Sequence, residues 1–294
     1  MLKEAENIVK IEGTILNNKL SEWTSSDGRV FVRGEVTIRV PLEDKGIISD
    51  IPVRVFVSQK TRQGSTNPAY SSVLDLMKAP TIETAGEEGA ACVSITKAKI
   101  GMNEYAKNDK IVSFPSVSAS FFKVIDKAAC KPEASFRITG VVATKPDYKT
   151  DAEDNVLGYF LNLVVPQYGG VVDLVPFKAA NDKVIQVMDT NWYAGDTVSF
   201  GGYLNFATEE IVKEVEVDFG EPEKRVYTNH VSEFVISRGS SAPMDGDNAY
   251  DADEIKKAMS DRKAKHEELK EKAKAKAAAT PAPVKPEESS DLGF

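Results

Sequence analysis

The sequence predicts an all-β protein: two five-stranded barrels in tandem, then a charged helix and a disordered acidic tail. Three observations carry that expectation. Residues 30–58 alternate apolar and polar side chains with a period of two, as strands with one buried face do. The pattern of the first strand returns downstream, Gly13 being echoed by Gly140 at an offset of 127 residues, a spacing of domain size. Past Gly239 the alternation stops and the chain turns to Ala, Lys and Glu, then to Pro.

The 294 residues suit about two domains. The expected division is a first barrel at 1–126, a linker at 127–133, a second barrel at 134–240 and a linker at 241–249. A helical spacer at 250–279 and a tail at 280–294 complete the chain.

In the first unit, Val9, Ile11 and Ile15 share one face of a strand over 8–16. Residues 17–28 (NNKLSEWTSSDG) read as a turn-rich loop carrying Trp23, and Asp27-Gly28 launches the next strand. There Val30, Val32, Val36, Ile38 and Val40 form a core face, while Phe31, Arg33, Thr37 and Arg39 point the other way. On the following strand Ile51, Val53, Val55 and Val57 are inward, and Arg54, Phe56 and Ser58 outward. A polar loop brings Lys60, Arg62 and Tyr70. Val73, Leu74 and Met77 have helical spacing over 71–78, with a serine to cap it and Pro80 to stop it. Residues 81–89 read as an acidic loop, 92–102 as an alternating strand and 111–125 as the last strand or strands.

The second unit starts with Phe136, Ile138, Gly140 and Val142, echoing Val9, Ile11, Gly13 and Ile15. A loop (KPDYKTDAEDN), strands over 159–165 and 171–177 and a short helix over 182–189 follow. A Gly-Asp turn then opens a strand with Val198, Phe200 and Leu204, and 214–219 and 232–237 complete the set. Five strands with a helix between the third and fourth make a Greek-key barrel, the OB-fold. VKIEGTI and FRITGVV resemble the opening strand of OB-fold nucleic-acid binders, and NWYAGDTVSFGGYL resembles their fourth strand. The first unit has residues 81–91 in place of that Gly-Asp signature.

From Tyr250 the chain has no Gly or Pro for about thirty residues, acids first and lysines last, which suits a helix dipole. Its apolar positions Ile255, Met259 and Leu269 are too sparse for a coiled coil, so a solvated, partly frayed helix is expected. The chain closes on EESSDLGF. This tip resembles the acidic, Phe-ended tails of bacterial single-stranded DNA-binding proteins, with Gly293 where those carry proline. The resemblance implies that Asp291, Leu292, Gly293 and Phe294 contact partner proteins of replication or recombination. The whole layout is similar to single-stranded DNA-binding proteins encoded by bacteriophages.

Composition excludes several classes. A net charge of −8 does not suit a protein that coats nucleic acid by bulk charge, yet the first 126 residues are near neutral and the acidic excess lies mostly in 127–245. No apolar run reaches the length of a membrane span, and the first residues have no signal-peptide core. Cys92 and Cys130 have no metal or redox spacing, so reduced thiols in a cytoplasm are expected. His230 and His266 stand far apart without apparent ligand partners. The acidic loop at 151–155 lacks calcium-loop spacing. With no catalytic motif, the expectation is no enzyme, no cofactor and no metal.

An aromatic and an arginine facing outward on each of two neighbouring strands suit a surface that stacks bases and pairs phosphates. Phe31, Phe56 and Trp23 are the expected stacking residues. Arg33, Arg39, Arg54, Lys60 and Arg62 are the expected phosphate contacts, with Arg29 and Tyr70 at the groove edges. The first barrel is therefore the expected binder of single-stranded DNA, without sequence preference. The alternative is an accessory or phage structural protein whose barrels serve protein contacts, with Phe31 and Phe56 buried at an interface.

Overall fold

The computed structural model describes residues 2–151, 153–215 and 223–279. The first part of the chain comprises β1 (Asn7–Asn18), β2 (Ser21–Thr24), β3 (Val30–Leu42), β4 (Ile47–Ser58), α1 (Pro68–Lys78), α2 (Ile82–Gly89), β5 (Cys92–Lys107), β6 (Lys110–Ala119) and β7 (Lys123–Ile125). Five strands close a ring. β1 pairs with β3, β3 with β4, β4 in parallel with β6, β6 with β5, and β5 back onto β1. With α1 and α2 between its third and fourth strands, this is an OB-fold.

The ring is repeated by β8 (Glu133–Val142), β9 (Asp147–Thr150), β10 (Val156–Pro166), β11 (Val172–Ala179), α3 (Asp182–Asn191), β12 (Thr197–Asn205), β13 (Thr208–Val215), β14 (Glu223–His230) and β15 (Glu233–Gly239). Here β8, β10, β11, β15 and β12 form the circuit, with β11 and β15 parallel. The β13–β14 hairpin forms a separate two-stranded sheet. The expected strand at 214–219 is thus not a barrel strand: Glu214 and Val215 end β13, and 216–222 lie outside the described residues.

Alternation sets the inside of each barrel. Val32, Val36, Ile38 and Val40 of β3 and Ile51, Val53, Val55 and Val57 of β4 are all buried, as their period of two requires. The echoed glycines have a steric reason. A Cβ on Gly13 would lie 2.4 Å from the Arg39 carbonyl oxygen, and one on Gly140 2.5 Å from that of Val164. In each barrel the first strand bends under its neighbour, and only glycine permits the approach.

Several short elements depart from expectation. α1 starts at Pro68 rather than at a serine, because the Asn67 side chain caps it by accepting from the Ala69 N–H. Residues 81–89 are not a loop. Thr81 and Thr84 exchange side-chain and backbone hydrogen bonds in a capping box that starts α2. β2 and β9 arise inside the two expected loops by pairing with β3 and β10.

The barrels share an edge. β1 and β8 run antiparallel with Asn7 opposite Ile138, Val9 opposite Phe136 and Glu12 opposite Glu133. Across a second contact the buried Ser49 hydroxyl donates to the Leu204 carbonyl (3.0 Å) and accepts from the Phe206 N–H (2.9 Å). One contiguous apolar cluster runs through the interiors of both barrels.

The C-terminal helix α4 (Ala252–Ala279) is not a free spacer. Ile255 and Ala258 are buried against Val141, Val164 and Val172 of the second barrel. One turn on, Arg262 and His266 grip Glu104 of β5, the His266 Nε2 to Glu104 Oε2 distance being 2.7 Å. His266 therefore has a partner that sequence spacing did not show. The preceding linker is also docked, through Met244 N–H to the Thr197 carbonyl and Trp192 Nε1–H to that of Ser241. No described helix is long and apolar enough to cross a membrane.

Candidate nucleic-acid interface

The outward face of β3 and β4 carries the aromatic side chains, and β2 adds a third. Register puts Trp23 directly opposite Phe31, and Arg33 opposite Phe56. The rings form a ladder: Trp23 to Phe31 at 6.0 Å between centroids, Phe31 to Phe56 at 5.2 Å and stacked. Trp23 is 43% exposed and Phe56 64%, although large aromatic side chains favour burial. Arg33 lies 4.8 Å from the Trp23 centroid and Arg29 5.9 Å from that of Phe31. Arg29 also pairs with Asp27 at 2.6 Å. Arg54 donates to the Asn103 side chain of β5 at 2.7 Å. Lys60 and Arg62 are exposed on the loop that leaves β4 beside this platform, where the Gln59 N–H donates to the Val30 carbonyl.

Two expected members stand apart. Tyr70 is 5% exposed, and its hydroxyl donates to Glu22. Burial first, and that hydrogen bond second, push its phenol up to about 12. It is a core residue of α1 with no face for a base. Arg39 sits at the far end of β3, held by both carboxylate oxygens of Asp50 at 2.8 Å and approached by Glu87 at 3.7 Å. Its charge is already matched there. The tip, Asp291 to Phe294, lies outside the described residues.

The structure adds residues that the sequence reading missed. A groove of about 1300 Å³ runs from Arg33, Arg54 and Phe56 over the small side chains of Ser116 and Ser118 to Lys97 and Lys99. Lys97 and Lys99 are exposed on β5 because the strand shifts register between Ile95 and Ala98: Thr96 and Lys97 both face out, and inward alternation resumes at Ala98 and Ile100. Phe121 also lines this groove and is exposed. Beyond the barrel, Tyr105 and Phe114 of the β5–β6 hairpin pack edge to face at 6.1 Å, both exposed. In the second barrel Phe160 faces outward with Lys149 at 4.7 Å from its centroid and Lys178 at 5.9 Å. Among the described residues no cluster of His, Cys, Asp and Glu could hold a metal ion.

Residues 5–272 match the profile of the YorF family. The chain belongs to the YorF family. No curated protein matches this YorF-family chain in sequence. Among solved structures it is similar to the wild-type single-stranded DNA binding protein from Thermus aquaticus, at 12% identity over 83% of this chain and 98% of that one, with a TM-score of 0.46. A deletion mutant of that protein gives 13% identity, 83% and 97% coverage and a TM-score of 0.49. The fold assignment rests on the strand pairings described above.

Proposed function

We propose that this protein binds single-stranded DNA without strict sequence preference through the outer face of its first barrel, in phage DNA replication or recombination. The observation that carries the reading is the Trp23–Phe31–Phe56 ladder, with Trp23 and Phe56 exposed and Phe31 half-buried between them, beside Arg33 and Arg54 at the mouth of a groove with lysines on its far side. Flat rings stack on any base, and cations along the groove pair with phosphates whatever the sequence. The first barrel is the principal binder, and the Phe160 surface of the second a weaker one. The chain works in the host cytoplasm, performs no chemistry, and uses the tip from Asp291 to Phe294 to recruit partner proteins.

The test is Phe31→Ala with Phe56→Ala. Each lost stack costs about 1–3 kcal/mol, so affinity for oligo-dT, read by fluorescence anisotropy, is expected to fall at least tenfold while the protein stays folded. Unchanged affinity in the folded double variant would overturn the site. Binding of oligo-dT is also expected to weaken steeply with salt and to exceed binding of a duplex. For the tip, removal of residues 292–294 is expected to abolish capture of replication or recombination proteins without altering affinity for DNA.

A further inference from the structure

We infer that the end of the groove is a base-reading subsite: Asp173, brought in by the second barrel, accepts a hydrogen bond from the amino group of a nucleobase, favouring cytosine over thymine there. This rests on the single-strand reading above and adds to it a compositional preference at one position.

The geometry is that of a bracket between barrels. The turn from β10 to β11 is closed by Gln167 N–H to the Val171 carbonyl at 2.8 Å, and it delivers Gln167 and Asp173 onto the outward face of β5. The Gln167 amide donates both to the Ile100 carbonyl (3.2 Å) and to Asp173 Oδ2 (3.1 Å). The same Oδ2 accepts from the Met102 N–H at 3.3 Å. A Cβ on Gly101 would lie 3.0 Å from that oxygen, so the glycine leaves room for the carboxylate. Both bonds fall on Oδ2, and Oδ1 has no hydrogen-bond partner among the described residues.

Asp173 is also the wrong charge for a groove that follows phosphates. No cation forms an ion pair with it among the described residues; of the two lysines that line the same groove, Lys99 is paired with Glu4. Burial, the largest influence, and the Glu104 charge push its carboxyl above the usual range, against the hydrogen bonds from Met102 and Gln167 and the Arg262 charge. A free acceptor on a fixed carboxylate suits an exocyclic N–H₂, the group by which acidic side chains recognise cytosine. Thymine presents a carbonyl at the same place and meets repulsion. The phosphates then lie toward the lysines and the base edge toward the second barrel.

The experiment measures affinities of the full chain for oligo-dC and oligo-dT of equal length, in the natural sequence and in Asp173→Asn. The asparagine keeps a carbonyl oxygen for Met102, so the bracket survives. The ratio of dT to dC dissociation constants is expected to fall about fivefold in the variant, the size of one lost hydrogen bond. A parallel loss for both oligonucleotides, with the ratio unchanged, would show Asp173 to be a bracket only and sink the subsite while leaving the stacking surface intact. If the natural chain binds neither oligonucleotide, the single-strand reading fails and the subsite with it.

Discussion

Arg33 lies over the Trp23 ring, stands opposite Phe56 in the strand register and lines the mouth of the groove. Its planar guanidinium can lie on a ring and still face a phosphate, which a lysine ammonium does less well. Arg33→Ala is expected to weaken oligo-dT binding and lower the salt slope by about one ion, measured by titration from low to moderate salt. Cys130 poses a different residue-scale question. Burial, then the hydrogen bond and charge interaction with Cys92, push its thiol up to about 12. Little thiolate exists at pH 8, so a disulfide reagent is expected to react far more slowly with the native chain than with the unfolded one. Prompt reaction of the native protein would contradict that protonation. At this scale the sequence showed outward Phe31, Phe56, Arg33 and Arg54 because a period of two fixes a face. It could not show that Arg39 meets Asp50 across the strand pair or that Tyr70 turns its ring inward, since both depend on tertiary neighbours.

The β5–β6 hairpin joins the site to the C-terminal helix. Asn103 of β5 accepts from Arg54, while the next residue, Glu104, faces α4 and meets Arg262, His266 and Ser113. At the hairpin tip Asp109 lies 3.5 Å from Lys274. Burial alone would raise the Glu104 carboxyl, but the His266 hydrogen bond, the Arg262 charge and the Ser113 hydroxyl together hold it below the ordinary range. A depressed carboxylate stabilises the docked helix fully above the ordinary glutamate value, and that contribution is lost as pH falls through the lower native value. Hydrogen exchange in α4 is therefore expected to quicken selectively below about pH 4.3, and Glu104→Gln to show the fast behaviour already at pH 7. Equal protection in the variant at neutral pH would remove Glu104 as the latch. This contact was illegible in the sequence: it links residues 104 and 262, and the sparse apolar positions of α4 signal a solvated helix. The long strands β3 and β4 were legible because alternation persists over a dozen residues. By contrast β2 has four exposed residues and no face to alternate, and α2 is held by its cap rather than by an apolar stripe.

At the scale of the whole molecule, the two barrels have one apolar interior, a shared strand edge and a buried hydroxyl between them. Calorimetry of the full chain is expected to show a single transition, and two well-separated transitions would mean that the seam contributes little. Ser49→Ala leaves the Phe206 N–H and the Leu204 carbonyl without their partner, at a cost of about 1–3 kcal/mol, so the midpoint should drop without the transition splitting. The repetition of the barrel was readable from the paired glycines, since each answers the same steric demand. The seam was not: β1 offers backbone groups on both edges, and its side-chain pattern is satisfied by one barrel alone.

That seam has an order that the barrels individually do not. Val9 lies opposite Phe136, which is its own counterpart at the 127-residue offset, so the pairing maps onto itself when the two halves are exchanged. It is the contact of a twofold homodimer written into one polypeptide. Two separate copies would assemble only above their dissociation constant, whereas the covalent connection through residues 126–132, between β7 and β8, holds the partner at a high effective concentration at any dilution. Fusion also releases the halves from being identical. One copy could then gather rings and cations around Phe31 and Phe56 while the other took an inserted β13–β14 hairpin and presented Asp173 to its neighbour.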